Sequence, residues 1–264
     1  AVHARDLIGQ KVGPSRVMIQ GGVLPNEPGA IDFMDRQAEE YGVTAWKLYP
    51  QWGPDGTGFF LDSEKYALPF FEKAKKLGVR IVAVHKGLSL PDSRYRYSSP
   101  HDMGIAARNN PDMVFLTYHS AIQPGVTEGP YKPEGKGVDR LIKSFINNGF
   151  SRNEGNLYAE LGSFWPYYMG RPDEAAHVMG KLLKYMGEDR ICWGTDAIWY
   201  GSPQDQIQVF RTFQISEEFQ NRYGYPAITP QIRAKIFGLN AARIHDISTE
   251  TIKKSMTRNA AQKA

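Results

Sequence analysis

Short apolar runs rich in β-branched residues recur along the chain, and polar or helix-like stretches separate them. Each run has the length of a strand and is too short for a typical helix. The pattern therefore predicts six strands, at Arg16–Val23, Val43–Tyr49, Val79–His85, Met113–His119, Asn156–Leu161 and Arg190–Asp196.

Between these runs, apolar residues recur at spacings of three and four, which is the periodicity of an amphipathic helix. The pair Thr229-Pro230 is typical of a helix start, with a capping hydroxyl before proline. Strands that alternate with helices indicate βα units, a parallel sheet and the α/β class. The predicted helices are Ala30–Tyr41, Ser63–Leu77, Val138–Asn148, Pro172–Met186 and Pro203–Phe219.

The loops that follow the predicted strands are long, whereas the links from helix to strand are tight. Long loops at the carboxyl ends of parallel strands mark the functional face of a TIM-type barrel. An open doubly wound sheet would share this asymmetry, but it usually carries a Gly-rich phosphate turn after its first strand. The sequence after the first run, QGGVLPNEPG, lacks that spacing, so we expect a barrel.

Composition narrows the classes of protein that remain. The chain is 41% hydrophobic, which is ample for a buried core, and its single Cys cannot form an internal disulfide. No apolar run approaches the roughly 20 residues that cross a membrane. The amino-terminal residues lack the apolar core of a secretory signal, so we expect a cytoplasmic protein, unless the sequence is incomplete at this end.

The net charge of +4 suggests an anionic partner until its location is considered. The last fourteen residues contain four Lys or Arg and no acidic residue, and the rest of the chain carries no net charge. Nucleic-acid-binding proteins concentrate basic residues on one face. We therefore expect a small-molecule substrate, and neither a nucleic acid nor a membrane as partner.

Chemically active side chains stand at or near the ends of the predicted strands. His85, His119 and Asp196 close three of them, and Lys47 and Glu160 lie near the ends of two others. Because parallel strands end on one rim of a barrel, these side chains are expected to share a cavity. Imidazole and carboxylate together suit a divalent metal, with zinc favoured and manganese or iron as alternatives.

Each of these residues also has a structural interpretation. Lys47 could pair with a carboxylate, and Glu160 could anchor the next loop, although both are candidates for substrate binding. Three tryptophans lie in the loops after the strands and could line an apolar or aromatic-substrate pocket, namely Trp52, Trp165 and Trp199. Cys192 is expected to be a small buried side chain, and His177 a structural residue within a helix.

The segments VRIVAVHKG, MVFLTYHSA, RICWGTDAIW and KIFGLNAARIHDI resemble strands five, six and eight and the closing helix of the amidohydrolase superfamily. The resemblance is closest to the amidohydrolase-2 branch of metal-dependent hydrolases and aromatic-acid decarboxylases. It implies that His85 is a metal ligand and that His119 is a ligand or a catalytic imidazole. It also implies that Asp196 both binds the metal and transfers protons. The superfamily uses a carboxylated lysine on strand four in some members, but we do not assign Lys47 to the metal.

The sequence departs from this family in one respect. The family's strand one carries a His-x-His pair of ligands, and this sequence has no His-x-His. Matched to the family, the six predicted strands correspond to strands 3–8 of a barrel that has eight when closed, and Ala1–Lys11 corresponds to the end of the helix before strand three. We therefore expect a barrel domain over residues 1–247, without its first two strands, and a basic tail over residues 248–264. Its open edges should be covered by further residues, by the tail or by another chain, and a homo-oligomer is one such arrangement.

Three functions follow from these expectations. The first is metal-dependent hydrolysis of a small amide, ester or lactone, with Asp196 moving the proton. The second is metal-dependent, non-oxidative decarboxylation of an aromatic acid, in which Asp196 protonates the ring. The third is a non-catalytic barrel subunit with a degenerate metal site, which the missing His-x-His favours and the joint presence of His85, His119 and Asp196 disfavours.

Overall fold

Six parallel strands form one sheet in the computed structural model, which describes residues 1–12, 17–89, 92–248 and 250–251. The strands pair in sequence order, each with the next, as a barrel of βα units requires. All six predicted strands are confirmed, with shorter bounds than the apolar runs suggested. The strands are β1 (Gln20–Val23), β2 (Ala45–Leu48), β3 (Ile81–His85), β4 (Val114–Tyr118), β5 (Leu157–Glu160) and β6 (Ile191–Cys192).

Helices separate the strands, and most of the buried helical side chains pack on the outer face of the sheet. The helices are α1 (Val2–Val12), α2 (Ala30–Glu39), α3 (Ala67–Lys76), α4 (Tyr95–Ser98), α5 (Met103–Asn109), α6 (Val138–Asn147), α7 (Phe164–Tyr168), α8 (Pro172–Tyr185), α9 (Ala197–Tyr200), α10 (Gln204–Thr212), α11 (Glu217–Tyr223), α12 (Pro230–Ala234) and α13 (Asn240–Ile244). A π-helical segment, Lys235–Leu239, joins the last two. The start predicted at Thr229-Pro230 is confirmed, since Thr229 Oγ1 accepts the Ile232 N–H at 3.2 Å. Among the described residues, no helix is long and apolar enough to span a membrane.

The prediction of one helix over Pro203–Phe219 is wrong, because the chain forms α10 and α11 there. The backbone leaves the helical conformation at Phe213, which is extended, with φ −60° and ψ 134°. Ser216 then caps α11, its hydroxyl accepting the Phe219 N–H at 3.2 Å. Sequence patterning also missed α5, whose seven residues are too few to show a periodicity.

The two faces of the sheet carry different cores. Side chains alternate along each strand, so every second residue points inward. The outward residues, such as Trp46 and Phe115, join the large core between the sheet and its helices. The inward strand residues form a small cluster, which Ile244 of α13 joins; its strand members are Ala45, Ile81, Ala83, Leu116, Tyr158 and Cys192. Cys192 is buried there as an unpaired thiol, as the sequence predicts.

The sheet is not closed: among the described residues, β1 and β6 do not pair with each other. The free edge of β6 is covered in part by the carboxyl-terminal helices. Asn240 Nδ2 donates to Ile191 O at 2.7 Å, and the Trp193 N–H donates to Ile236 O at 2.9 Å. This cover differs from those that the sequence suggested, and the tail beyond residue 251 lies outside the described residues. Pairing of the edges with another chain stays a prediction.

Candidate functional site

The inward-facing positions change from apolar to polar at the carboxyl ends of the strands. Lys47, His85 and Glu160 each lie two residues after an inward residue of the small core, Ala45, Ala83 and Tyr158 respectively. Strand alternation therefore directs all three side chains to the interior of the open barrel. Tyr118 pairs in register with His85 and faces the same way. The expectation that these strand ends share a region is thus met for the residues on β2 to β5.

His85 and His119 lie against each other in this interior. Both residues are buried, and their rings meet nearly edge to face at a centroid distance of 4.6 Å. The Nε2 atom of His119 is 3.2 Å from the Nδ1 atom of His85. The two imidazoles that the sequence predicts to share a site are therefore in direct contact.

In each imidazole, the nitrogen that faces away from the other histidine, here called the outer nitrogen, is bonded to a backbone carbonyl. His85 Nε2 is 2.9 Å from Leu88 O, and His119 Nδ1 is 2.7 Å from Gly162 O. Since a carbonyl only accepts, both outer nitrogens donate and carry the proton. In the neutral imidazoles, the two facing nitrogens then present lone pairs to each other.

The neutral form of both rings is favoured. Burial, together with the neighbouring His119, lowers the pKa of His85 to about 3. Burial likewise lowers the pKa of His119 to about 4, with Lys47 acting in the same direction. Near pH 7, therefore, no proton is held between the two facing nitrogens, and this is the donor chemistry that a divalent cation uses.

Asp196 lies beside this pair, but its carboxylate is not aimed at the facing nitrogens. Its backbone is left-handed, with φ 53°, and it is the last residue of the predicted run Arg190–Asp196 but lies beyond the end of β6. Its Oδ2 accepts a hydrogen bond from Ser163 Oγ and lies 3.8 Å from His119 Nδ1. Within residues 1–12, 17–89, 92–248 and 250–251, no group of three or more His, Cys, Asp or Glu side chains converges on one point. The fit to a metal is therefore that of two imidazole donors with an adjacent carboxylate.

Glu160 is buried, and backbone groups occupy both oxygens of its carboxylate. Oε1 accepts the Gly162 N–H at 2.7 Å, and Oε2 accepts the His119 N–H at 3.1 Å. Burial raises the pKa of Glu160 to about 7, while these two hydrogen bonds act to lower it. Glu160 thus lines the cavity, as predicted, but both oxygens of its carboxylate accept hydrogen bonds from backbone N–H groups of this chain.

The amine of Lys47 lies over an aromatic ring. Its Nζ is 3.4 Å from the centroid of Tyr118, a cation–π distance, and 5.1 Å from that of Tyr49. Nζ is buried and has no hydrogen-bond partner among the described residues. Burial lowers the pKa of Lys47 to about 7, and Glu160 and Asp196 oppose that shift.

A cavity of about 310 Å³ opens beside these groups, lined by His119, Glu160 and Asp196 among others. Sequence reasoning did not single out two of its other residues, Tyr118 and His245. The inward alternation of β4 could have identified Tyr118, but nothing in the sequence indicates that His245 returns to the site from α13. A second cavity of about 330 Å³ borders Lys47, Tyr49 and Trp52, among others.

The tryptophans divide between surface and core. Trp199 on α9 is 78% exposed and does not line the cavity at Asp196, so its role in substrate binding stays a prediction. Trp165 is fully buried in the outer core. Trp52 stacks in parallel on Tyr49 at 4.2 Å, and Tyr49 stacks in turn on His85 at 5.1 Å. Of the three loop tryptophans that the sequence suggests as pocket walls, Trp52 is the one that the Tyr49 ring connects to the imidazole pair.

Comparisons with known proteins agree with this architecture. The family model Amidohydro_2, amidohydrolase, matches residues 5–247. No curated protein matches the chain. An uncharacterized TIM-barrel protein from Bordetella bronchiseptica superposes with a TM-score of 0.63 at 17% identity, over 92% of this chain and 71% of that one.

Two further solved structures have known activities in their names. A 2,6-dihydroxybenzoate decarboxylase from Rhizobium superposes with a TM-score of 0.55 at 17% identity, over 93% of this chain and 76% of its own. A 4-oxalomesaconate hydratase from Rhodopseudomonas palustris does so with a TM-score of 0.55 at 15% identity, over 100% of this chain and 75% of its own. At these identities the likeness concerns the TIM-barrel-type fold. Because the family model spans nearly the whole chain, the protein belongs to the amidohydrolase-2 family.

Proposed function

We propose that this chain is a metal-dependent hydrolase of a small amide, ester or lactone. The observation that carries the proposal is the pair of imidazole nitrogens, His85 Nδ1 and His119 Nε2, that face each other at 3.2 Å with no proton to share. Members of the amidohydrolase family generally use a divalent metal, which is in keeping with this pair.

His85 and His119 would hold the metal through these two nitrogens, with Asp196 as the adjacent carboxylate ligand. When bound, a divalent metal polarises the substrate carbonyl and lowers the pKa of water. Zinc is the metal that we favour for an imidazole and carboxylate set, and manganese or iron are alternatives.

The proton transfer falls to Asp196. Its side chain lines the 310 Å³ cavity and is 28% exposed, so water and substrate can reach it. The carboxylate accepts a proton from the attacking water and returns it to the leaving group. Ser163, which donates to Oδ2, holds the carboxylate in the orientation for this step.

A second candidate is non-oxidative decarboxylation of an aromatic acid. The parallel stack of Trp52 on Tyr49 beside Lys47 favours it, because such a wall suits a planar ring. Lys47, whose amine has no hydrogen-bond partner among the described residues, would in its protonated form bind the acid's carboxylate, and Asp196 would donate a proton to the ring carbon. For a hydrolysed substrate, Lys47 would bind an anionic substituent in the same way.

Metal analysis combined with a substrate panel tests the proposal. The purified chain is loaded with zinc, manganese or iron(II), dialysed and analysed for metal. It is then assayed with lactones, esters, amides and hydroxybenzoates. We expect bound metal and hydrolysis, both lost in His85→Ala, His119→Ala and Asp196→Asn. The matched control is His101→Ala, which removes an exposed imidazole outside the cavity and should change neither.

The remaining outcomes separate the alternatives. Release of carbon dioxide without any hydrolysis would replace the leading proposal by the decarboxylase. Absence of both metal binding and turnover in the wild-type chain would reject both enzymes and leave the non-catalytic subunit. Metal binding that persists in His85→Ala and His119→Ala would show that the imidazole pair is not the metal site.

A further inference from the structure

The turn after β4, which carries His119, has an unusual backbone. Three consecutive residues have positive φ angles, His119 at 64°, Ser120 at 44° and Ala121 at 59°, and none of them is glycine. A left-handed backbone is unfavourable for residues with a Cβ atom. Where such a residue does adopt it, it normally does so singly and not in a run. A run of three therefore persists only if surrounding groups hold it.

Two of the hydrogen bonds that hold this turn have acceptors on one residue, Glu160. Glu160 Oε2 accepts the His119 N–H at 3.1 Å, and the backbone carbonyl of Glu160 accepts the Ser120 hydroxyl at 2.8 Å. The second carboxylate oxygen, Oε1, accepts the Gly162 N–H at 2.7 Å. Glu160 thus links the start of the turn to the loop that follows β5.

This linkage also determines where the imidazole of His119 points. Gly162, whose N–H is bonded to Glu160, supplies the carbonyl that accepts His119 Nδ1–H at 2.7 Å. The His119 N–H is therefore bonded to the Glu160 carboxylate itself. The His119 ring is bonded to Gly162, whose N–H the same carboxylate accepts. The remaining ring nitrogen is left facing His85.

The carboxylate of Glu160 is packed closely against two glycines, Gly162 and Gly194. A Cβ atom added at Gly194 would overlap Glu160 Oε1, and one added at Gly162 would lie 2.6 Å from the same oxygen. Two glycines are therefore needed for the carboxylate to occupy this position. Because the Glu160 carboxylate is closely packed and both of its oxygens accept backbone hydrogen bonds, its role is structural.

We infer that Glu160 is a positioning residue that holds the left-handed turn 119–121 and thereby orients the imidazole of His119 toward His85. It acts through His119 and does not itself bind substrate. The inference concerns the geometry of the chain alone, so it stands whether the bound metal performs hydrolysis, decarboxylation or neither.

The tautomer of His119 in the metal-free chain tests this role. Histidine-selective ¹⁵N labelling reports which ring nitrogen carries the proton, and the His119 signals are assigned by their loss in His119→Ala. At pH 7 we expect neutral rings, with the proton of His119 on Nδ1 and that of His85 on Nε2. In Glu160→Gln, one acceptor oxygen becomes an NH₂ group that opposes a backbone N–H, and His119 should lose its Nδ1–H signature.

Two further variants keep the test decisive. Glu160→Asp retains the charge and both oxygens but is one methylene shorter, so it cannot reach both N–H groups and should also lose the signature. It replaces Glu160→Gln if that variant fails to fold, as judged by circular dichroism. The matched control is Glu174→Gln, because Glu174 likewise accepts a backbone N–H, that of Glu128 at 3.0 Å, away from the imidazoles.

The outcomes are distinct from those of the proposed function, because neither metal nor turnover is needed. An unchanged Nδ1–H signature for His119 in a folded Glu160→Gln or Glu160→Asp chain would overturn the inference. The same would follow if Glu174→Gln altered the signature as much as the Glu160 variants did. Loss in the Glu160 variants alone supports it, even in a chain that proves to have no activity.

Discussion

Removing the charge of Asp102 is expected to destabilise the fold strongly, because Asp102 is the counter-ion of a fully buried lysine. Lys86 directly follows His85, and its side chain and that of Asp102 are both 0% exposed. Lys86 Nζ lies 2.6 Å from Asp102 Oδ1 and donates to the carbonyls of Tyr97 at 3.0 Å and Ser99 at 3.1 Å. The pair thus connects the end of β3 to the loop that follows it.

The magnitude follows from what Asp102→Asn leaves behind. The asparagine oxygen can still accept the Leu61 N–H, which Asp102 Oδ2 accepts at 2.9 Å, so that hydrogen bond is retained. The ammonium of Lys86 is left buried without a counter-ion, and breaking such a pair costs about 3–5 kcal/mol. Two carbonyls continue to solvate the ammonium, so we expect the lower part of this range.

Urea unfolding followed by circular dichroism measures this cost, and a double-mutant cycle isolates its cause. In Lys86→Met/Asp102→Asn neither member of the pair carries a charge, so the double variant should be more stable than Asp102→Asn alone. Asp112→Asn is the matched control, because Asp112 forms ion pairs at the surface with Lys75 and Arg80, and its loss should cost at most about 1 kcal/mol.

The pH dependence adds a second check on the same pair. Burial lowers the pKa of Lys86, and Asp102 opposes that shift. Without Asp102 the folded pKa falls further, so the folded chain binds fewer protons than the unfolded chain and its stability rises with pH. The deficit of Asp102→Asn should therefore shrink as the pH is raised above 7. A deficit below about 1 kcal/mol, or purely additive effects in the cycle, would refute this reasoning.

Three further predictions concern other parts of the fold. In Gly194→Ala the new methyl group overlaps the carboxylate of Glu160, so we expect loss of the His119 Nδ1–H signal together with a lower urea midpoint. Asn240→Leu leaves the buried carbonyl of Ile191 without a donor and should cost about 1–3 kcal/mol in urea unfolding; an unchanged midpoint would contradict this. Burial lowers the pKa of His177, so the folded chain binds fewer protons there, and wild-type stability should fall from pH 7 to 5 more steeply than that of His177→Gln.

The sequence predicted the strands and their order because each strand carries its own apolar run. It also placed His85 and His119 in one site, because each of them stands at the carboxyl end of a predicted strand and such ends lie together in a parallel sheet. The break between α10 and α11 was missed because apolar spacing continues through it, although Ser216 before two glutamates is a capping signal.

The role of Glu160 illustrates what the sequence could not supply. Its position on β5 indicates that it faces the interior, but its partners are backbone N–H groups of His119 and Gly162, which have no signature in the side-chain pattern. The left-handed turn is equally hidden, because its residues are His, Ser and Ala and none is the glycine that normally marks positive φ.

The hydrogen bonds of the two imidazoles argue for a cation-binding pair over a structural one. Two neutral histidines whose nitrogens lie 3.2 Å apart could share one N–H and bond to each other. In this fold, Leu88 O and Gly162 O each take a proton on the outer side, so the inner nitrogens oppose each other as acceptors. That opposition is unfavourable in a buried site unless a positive charge lies between the lone pairs. Since burial lowers both pKa values well below 7, a proton does not supply that charge, whereas the proposed divalent cation would.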